Sequence, residues 1–309
     1  MLRKILKFFL QTLCHPINFF LKKKKFLIIF RRGKAIGDHV YMTSVIKKIN
    51  EKNFYKIILF SNYGEFFLNN PRVYKLFNVK YDSLIWPLLN ILKSENILEF
   101  RSTVKDNDNK HFLSNYLPNY LHLAQGMSNH FNLNIDYSNL QNEIFFSDDE
   151  IVRLKNEINL PGNFALIQSV AKSTYTKNKE WKFEGMQEVV NKFDKINWVQ
   201  IGKNDEPKLK NCKYLLDLNF RELSYVIKKC KFLVVYEGLY NHIASCFNKK
   251  TFIIHLGFLH INSFKYPNSI VINQNSMLDC YPCYSLDCKN HNRLMSEKFV
   301  IEELKKYIN

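Results

Sequence analysis

The chain has 309 residues, a formal net charge of +17 and an aromatic content of 15%. Its length accommodates two domains with separate cores, and its aromatic richness excludes a disordered chain. The charge favours polyanionic partners, whether nucleic acid, anionic lipid or a phosphorylated substrate, without choosing among them.

The opening stretch MLRKILKFFLQTLCHPINFFL is apolar but interrupted by Arg3, Lys4, Lys7 and His15. It offers no clean span of about 20 apolar residues to cross a bilayer, and no small-residue cleavage site marks a secretory signal. On a helical wheel Lys4, Lys7, Gln11 and His15 share one face, opposite Leu2, Ile5, Leu6, Phe9 and Leu13. That pattern predicts an N-terminal amphipathic helix, bent or broken near Pro16. With the lysine run at 22–25 behind it, the segment 1–25 reads as one that lies on an anionic membrane surface. Docking on the protein's own surface is the alternative.

FLIIF at 26–30 has the continuous apolar character of a buried parallel strand. RRGKAIGD follows as a glycine-containing loop; residues 39–50 then read as a helix and KIILF at 56–60 as a second strand, completing a βαβ unit. Residues 65–110 carry no legible pattern, and 111–131 reads as a helix that Pro118 starts, kinks or interrupts. DDEIVRLKNEINL at 148–160 is a helix with acidic residues in its first turn, and Pro161 and Gly162 mark a domain boundary. Strands at 164–169, 197–202, 232–236, 251–256 and 269–273 then alternate with helices at 181–193, 221–230 and 241–247, before a terminal helix at 296–308. Strands alternating with helices twice over predict two parallel, doubly wound sheets.

Ligands of open α/β sheets bind beyond the carboxyl ends of strands. After FLIIF come Arg31, Arg32, Gly33, Lys34 and Asp38, whose glycine spacing is not the dinucleotide fingerprint. Asp38 reads equally as an N-cap, worth about 1 kcal/mol, or as a general base on a sugar hydroxyl, with Arg31, Arg32 and Lys34 attracting a phosphorylated acceptor. After FALIQ, the loop SVAKSTYTKNKEW crowds hydroxyls and lysines before a helix, which suits a pyrophosphate or an ordinary polar loop. After FLVV, Glu237 sits at a strand end, Gly238 permits a tight turn and His242 lies one helical turn on. Glu237 either accepts hydrogen bonds from sugar hydroxyls or caps the helix, and His242 either joins that site or is packed.

Seven cysteines occupy positions 14, 212, 230, 246, 280, 283 and 288. Their odd number and scatter do not suit a secreted disulfide framework, which points to a reducing, cytoplasmic setting. Cys280, Cys283, Cys288 and His291 have the spacing of a compact zinc knuckle, although unbound thiols are the preferred reading.

Together these pieces resemble glycosyltransferase family 9, typified by the ADP-heptose:lipopolysaccharide heptosyltransferases. FLIIFRRGKAIGDHVYMTSVIKKI is similar to the family's opening strand, R-x-x-x-IGD loop and helix. FALIQSVAKSTYTKNKEWKFEGMQEVV is similar to its second-domain strand, hydroxyl-rich loop and K-x-W, with Lys179 and Trp181 in the last motif. EGLYNHIAS keeps the acid-to-histidine spacing of D-[ST]-G-x-x-H-[LI]-A-A, from Glu237 to His242, and CYPCYSLDC matches a C-x-P-C-x4-C segment. Glu237 replaces an aspartate, Gly238 is one position nearer the acid, and the glycine expected after FALIQ is Ser169-Val170.

The resemblance implies a GT-B fold: a Rossmann-like acceptor domain at 26–160 and a nucleotide-sugar domain at 161–295 facing across a cleft. The terminal segment 296–309 would pack back on the first domain. It further implies an inverting transferase that uses no metal in its chemistry and no resident cofactor. Asp38 would be the general base, confronting Lys179 over a shared groove. Lys179, with Ser173 and Thr174, would hold the diphosphate of a nucleotide-sugar donor, ADP-heptose or another. Glu237 would contact the donor sugar, with Gly238 and His242 beside the nucleotide. The expected partners are that donor, a lipid-linked saccharide acceptor such as a lipopolysaccharide core and an anionic membrane surface, with no nucleic acid. The expected location is cytoplasmic, peripheral on the inner face of the inner membrane. Two rivals are a basic nucleic-acid-binding protein with a CCCH knuckle, which would explain the charge, and a dinucleotide-dependent oxidoreductase.

Overall fold

A computed structural model describes residues 15–53, 55–100, 121–129, 131–171, 176–274, 279–285, 288 and 295–308. The amphipathic-helix reading of residues 1–14 and the 111–120 part of the predicted helix lie outside them. The described residues fall into two compact units. The first comprises those up to position 100 with 124–136 and 142–146, and the second comprises the remainder.

The first unit is built on parallel strands β1 (Phe26–Arg31), β2 (Lys56–Ser61), β3 (Val73–Asn78) and β4 (Ile97–Glu99), hydrogen-bonded in the order β3-β2-β1-β4. Helix α1 (His15–Lys23) precedes β1, and Pro16 sits in its first turn. Proline there forfeits no intrahelical hydrogen bond, so Pro16 begins a helix where a break was expected. Helix α2 (Ile36–Asn53) buries Val40, Tyr41, Val45, Ile46 and Ile49. Helix α3 (Ile85–Ile91) sets Trp86 and Leu89 into one apolar cluster with Leu21, Phe30, Val79 and Ile97. The Trp86 indole donates to the Lys80 carbonyl at 2.8 Å, which satisfies its single polar atom inside that cluster.

In the second unit the strands are β5 (Phe164–Gln168), β6 (Asn197–Gly202), β7 (Lys213–Leu216), β8 (Phe232–Val235), β9 (Lys250–Ile254) and β10 (Ser269–Ile272). All are parallel, in the order β10-β9-β8-β5-β6-β7. Counted from β5, that is the doubly wound order 3-2-1-4-5-6, whose topological switch falls between β5 and β8. β8 reads FLVV and is buried at every residue, as a central strand covered on both faces requires. Helices α6 (Phe183–Lys192), α7 (Phe220–Lys229) and α8 (Leu239–Cys246) connect these strands. α7 opens with a full capping box between Asn219 and Glu222.

Two expected boundaries move. Helix α5 (Asp148–Glu157), read as the end of the first domain, belongs with the second unit. Its Glu150 accepts from Arg221 Nε at 2.8 Å and Nη2 at 2.6 Å, a bidentate pairing that ties α5 to α7. The terminal helix α9 (Glu297–Lys305), expected on the first domain, buries Val300 and Leu304 in the second unit's core with Trp181, Met186 and Val189. The physical reason is its apolar stripe, which fills the layer beside α6. Among the described residues no helix is long and apolar enough to cross a membrane.

Candidate functional site

The loop after β1 is held from both sides. Asn62, just past β2, accepts from the Gly33 amide at 2.9 Å and donates to the Gly33 carbonyl at 3.0 Å. A Cβ at Gly33 would stand 3.0 Å from Arg31 Nη2, so a bare backbone is what lets the Arg31 side chain return along the loop. Arg31 was expected to meet an acceptor. It is instead 5% exposed, donates to the Phe100 carbonyl at 2.9 Å and ion-pairs with Asp38. Its position as the last residue of a buried strand turns it inward.

Asp38 lies in the first turn of α2, and its carboxylate engages side chains: Arg31 on one oxygen and the Tyr41 hydroxyl, which donates at 2.7 Å, on the other. This geometry is a clamp that orients a carboxylate, in place of the N-cap alternative. Arg32 and Lys34 are exposed and flank the Tyr81 ring, 4.3 and 5.5 Å from its centroid. They remain the cations of this loop open to an anionic group. Next to Asp38, burial and the Arg31 charge hold the His39 imidazole down at about 3, so it is neutral. Its Nδ1 is 2.9 Å from Ser61 Oγ.

The second cluster sits at the switch of the six-stranded sheet. Lys179 ends a short 3-10 turn (Lys177–Lys179) in the loop after β5, and Glu237 follows β8. Lys179 Nζ is 2.8 Å from Glu237 Oε1, and His255, the first residue past β9, brings Nε2 to 3.0 Å from Oε2. Lys179 also lies over the Phe258 ring at 4.8 Å. Burial by itself would raise the Glu237 carboxyl. The Lys179 ammonium and His255 overcome it and hold Glu237 at about 2, fully ionised at neutral pH. Gly238 caps α8 at φ +146° and ψ −148° with no side-chain cap, a conformation essentially reserved for glycine. Glu237 is therefore a buried acid at a ligand-binding position, and the capping alternative for it falls away.

His242, on α8, is buried with Nδ1 2.8 Å from the Tyr266 hydroxyl, and burial, then the Lys179 charge, lower it to about 3. Its packed reading describes these contacts. Trp181 is fully buried, donates from its indole to the Met295 carbonyl at 3.0 Å and roofs Gly185, where a Cβ would stand 2.5 Å from the ring. The tryptophan of K-x-W thus anchors structure, and its truncation would cost about 3–5 kcal/mol. Ser173, Thr174 and His291 lie outside the described residues. The Sγ atoms of Cys280, Cys283 and Cys288 all lie within 4.8 Å of one another.

Sequence reasoning missed Tyr41 and His255. Tyr41 had a signal, since it stands three residues after Asp38 on one helix, a spacing that brings side chains together. His255 had none before the sheet order put β9 beside β8.

No protein-family model matches the sequence, and no curated protein matches it significantly. Solved structures do match in fold. A glycosyl transferase family 9 protein from Veillonella parvula superposes with a TM-score of 0.66 at 12% identity, covering 92% of this chain and 97% of that one. The ADP-heptose lipopolysaccharide heptosyltransferase II of E. coli gives 0.61 at 11% identity, covering 91% and 98%. The E. coli heptosyltransferase WaaC, solved with ADP, gives 0.57 at 11% identity, covering 91% and 99%. The chain has the fold of these glycosyltransferases, with two Rossmann-like α/β domains.

Proposed function

We propose that the protein is a glycosyltransferase that takes a sugar from a nucleotide-diphosphate sugar and inverts the anomeric centre without a metal in the chemistry. The observation that carries this reading is the Lys179–Glu237–His255 cluster at the switch point of the second sheet. It combines a cation for a diphosphate with an ionised acid for sugar hydroxyls, where doubly wound sheets bind their ligands. The donor's diphosphate draws Lys179 from its internal partner and meets the N-terminal amides of α8. Glu237, kept anionic, accepts hydrogen bonds from the sugar. On the first unit Asp38 takes the proton from the attacking acceptor hydroxyl, its carboxylate oriented by Arg31 and Tyr41. Arg32 and Lys34 receive an anionic group of the acceptor.

The fold neighbours are heptosyltransferases, and one was solved with ADP. These support an adenine-nucleotide-linked heptose as the first donor to try and a lipopolysaccharide-core saccharide as the first acceptor class. The lysine run at 22–25, with Phe19 and Phe20 exposed on α1, supports a peripheral seat on an anionic cytoplasmic membrane surface, where a lipid-linked acceptor is found. A panel of nucleotide sugars, read by thermal stabilisation and by release of nucleoside diphosphate, tests the reading. Stabilisation by ADP- or UDP-sugars and none by NAD(H) is expected; the reverse pattern would overturn it.

A further inference from the structure

The cysteine-bearing loop has a geometry that the transfer reaction does not use. Cys280 and Cys288 stand with their sulfurs 3.8 Å apart, and the Cys283 sulfur lies within 4.8 Å of both. A tetrahedral ion with metal–sulfur bonds of about 2.3 Å sets its ligand sulfurs about 3.8 Å apart, and a disulfide needs about 2.05 Å. The separation therefore matches an edge of a tetrathiolate-like site and not an S–S bond. The other described cysteines, Cys212, Cys230 and Cys246, are free and lie outside this cluster.

This loop is also fastened to the wall of the Lys179–Glu237–His255 cluster. The Cys283 and Tyr284 amides donate to the Gly257 and Phe258 carbonyls, each at 3.0 Å. The Ile261 amide donates to the Tyr281 hydroxyl at 2.9 Å, and Asn178, beside Lys179, donates to the Ser285 carbonyl at 2.5 Å. Phe258 is the ring beneath the Lys179 ammonium, and the Tyr281 ring meets His255 edge-on at 6.3 Å. Residues on both sides of the acid are thus tied to a loop whose own shape depends on three converging sulfurs.

We propose that Cys280, Cys283 and Cys288 bind one thiophilic divalent ion, of the zinc or ferrous class, as a structural clip that holds the His255–Phe258 wall of the Lys179–Glu237 cluster. The ion takes no part in the transfer step. Its fourth ligand is water or a side chain from the sequence around His291. The donor-binding consequence rests on the proposed glycosyltransferase reading; the ion itself does not.

The test uses the full chain, expressed with zinc or iron supplementation, desalted and analysed for metal by mass spectrometry. About one equivalent of ion per chain is expected, retained in Cys212→Ser and lost in Cys283→Ser. Metal-free wild type, equal retention by Cys283→Ser, or a Cys280–Cys288 disulfide found by mass in place of the ion would each overturn the site. Should Cys283→Ser fail to fold, chelated wild type refilled with Co²⁺ must show a thiolate-to-cobalt charge-transfer band, and its absence sinks the proposal. Chelation should also weaken ADP binding by about 10-fold, equivalent to about 1.4 kcal/mol. Unchanged ADP affinity in the metal-free protein would overturn the clip's link to the cluster, whereas failure of the holo-protein to bind any nucleotide would instead count against the transferase reading.

Discussion

Lys179 and Glu237 form an ion pair of 2.8 Å although they belong to different loops, one after β5 and one after β8. The Glu237 side chain is 2% exposed and the Lys179 side chain 19%. A carboxylate so deeply buried is tolerable only with its charge compensated, so the lysine is needed by the resting protein as well as by any diphosphate that displaces it.

Lys179→Ala should therefore have two effects. Donor or nucleoside diphosphate affinity should fall by about 10–100-fold, the value of a charge-assisted hydrogen bond. Stability should fall by about 3 kcal/mol, because Glu237 keeps only His255. The double variant Lys179→Met/Glu237→Gln should recover stability in urea titrations while leaving binding weak by calorimetry. Recovery of both would remove Lys179 from the donor site.

For Asp38 the readout is turnover. Asp38→Asn should reduce kcat by about 10²–10⁴-fold with little change in donor affinity. Tyr41→Phe deletes one hydrogen bond to the carboxylate, which should lower kcat by about 10-fold and move the acidic limb of the pH–rate profile upward, since the ionised form loses support. Full activity in Asp38→Asn would end its candidacy as the base.

Acid stability should decline in two stages. The buried imidazoles of His39 and His242 have folded-state values near 3, well below their ordinary 6.5. Between those values the unfolded chain binds more protons, so stability is full above about 6.5 and is lost as pH falls towards 3. Glu237, lowered to about 2 from 4.5, adds a second loss as pH falls from about 4.5 through 2. Chemical denaturation across pH 3–8 should show His39→Asn with a shallower first limb. An unchanged slope would contradict the neutral buried imidazole.

At Gly238 the prediction concerns backbone strain alone. A Cβ there would meet nothing within 4 Å, yet φ is +146°. Gly238→Ala should cost about 1–3 kcal/mol and tilt the start of α8, which a crystal structure and a denaturation midpoint would both report. A cost below a few tenths of a kcal/mol would mean that the turn relaxes freely.

Much of the architecture was written in local pattern. FLIIF, FALIQ, FLVV and TFIIHL announced central strands because a strand buried on both faces must be apolar at every position. β3, β4 and β7 escaped notice for the opposite reason: they are short or half-exposed, and such strands owe their existence to a neighbour's edge. Asp38, Lys179, Glu237 and the cysteine trio were legible because motif spacing fixes what lies next to a strand end. Three-dimensional packing decided that Arg31 turns inward to Asp38, that α5 and α9 join the second core, and that His255 closes on Glu237. Those outcomes depend on strand order and on which charges share a dry interior, and neither quantity is local in sequence.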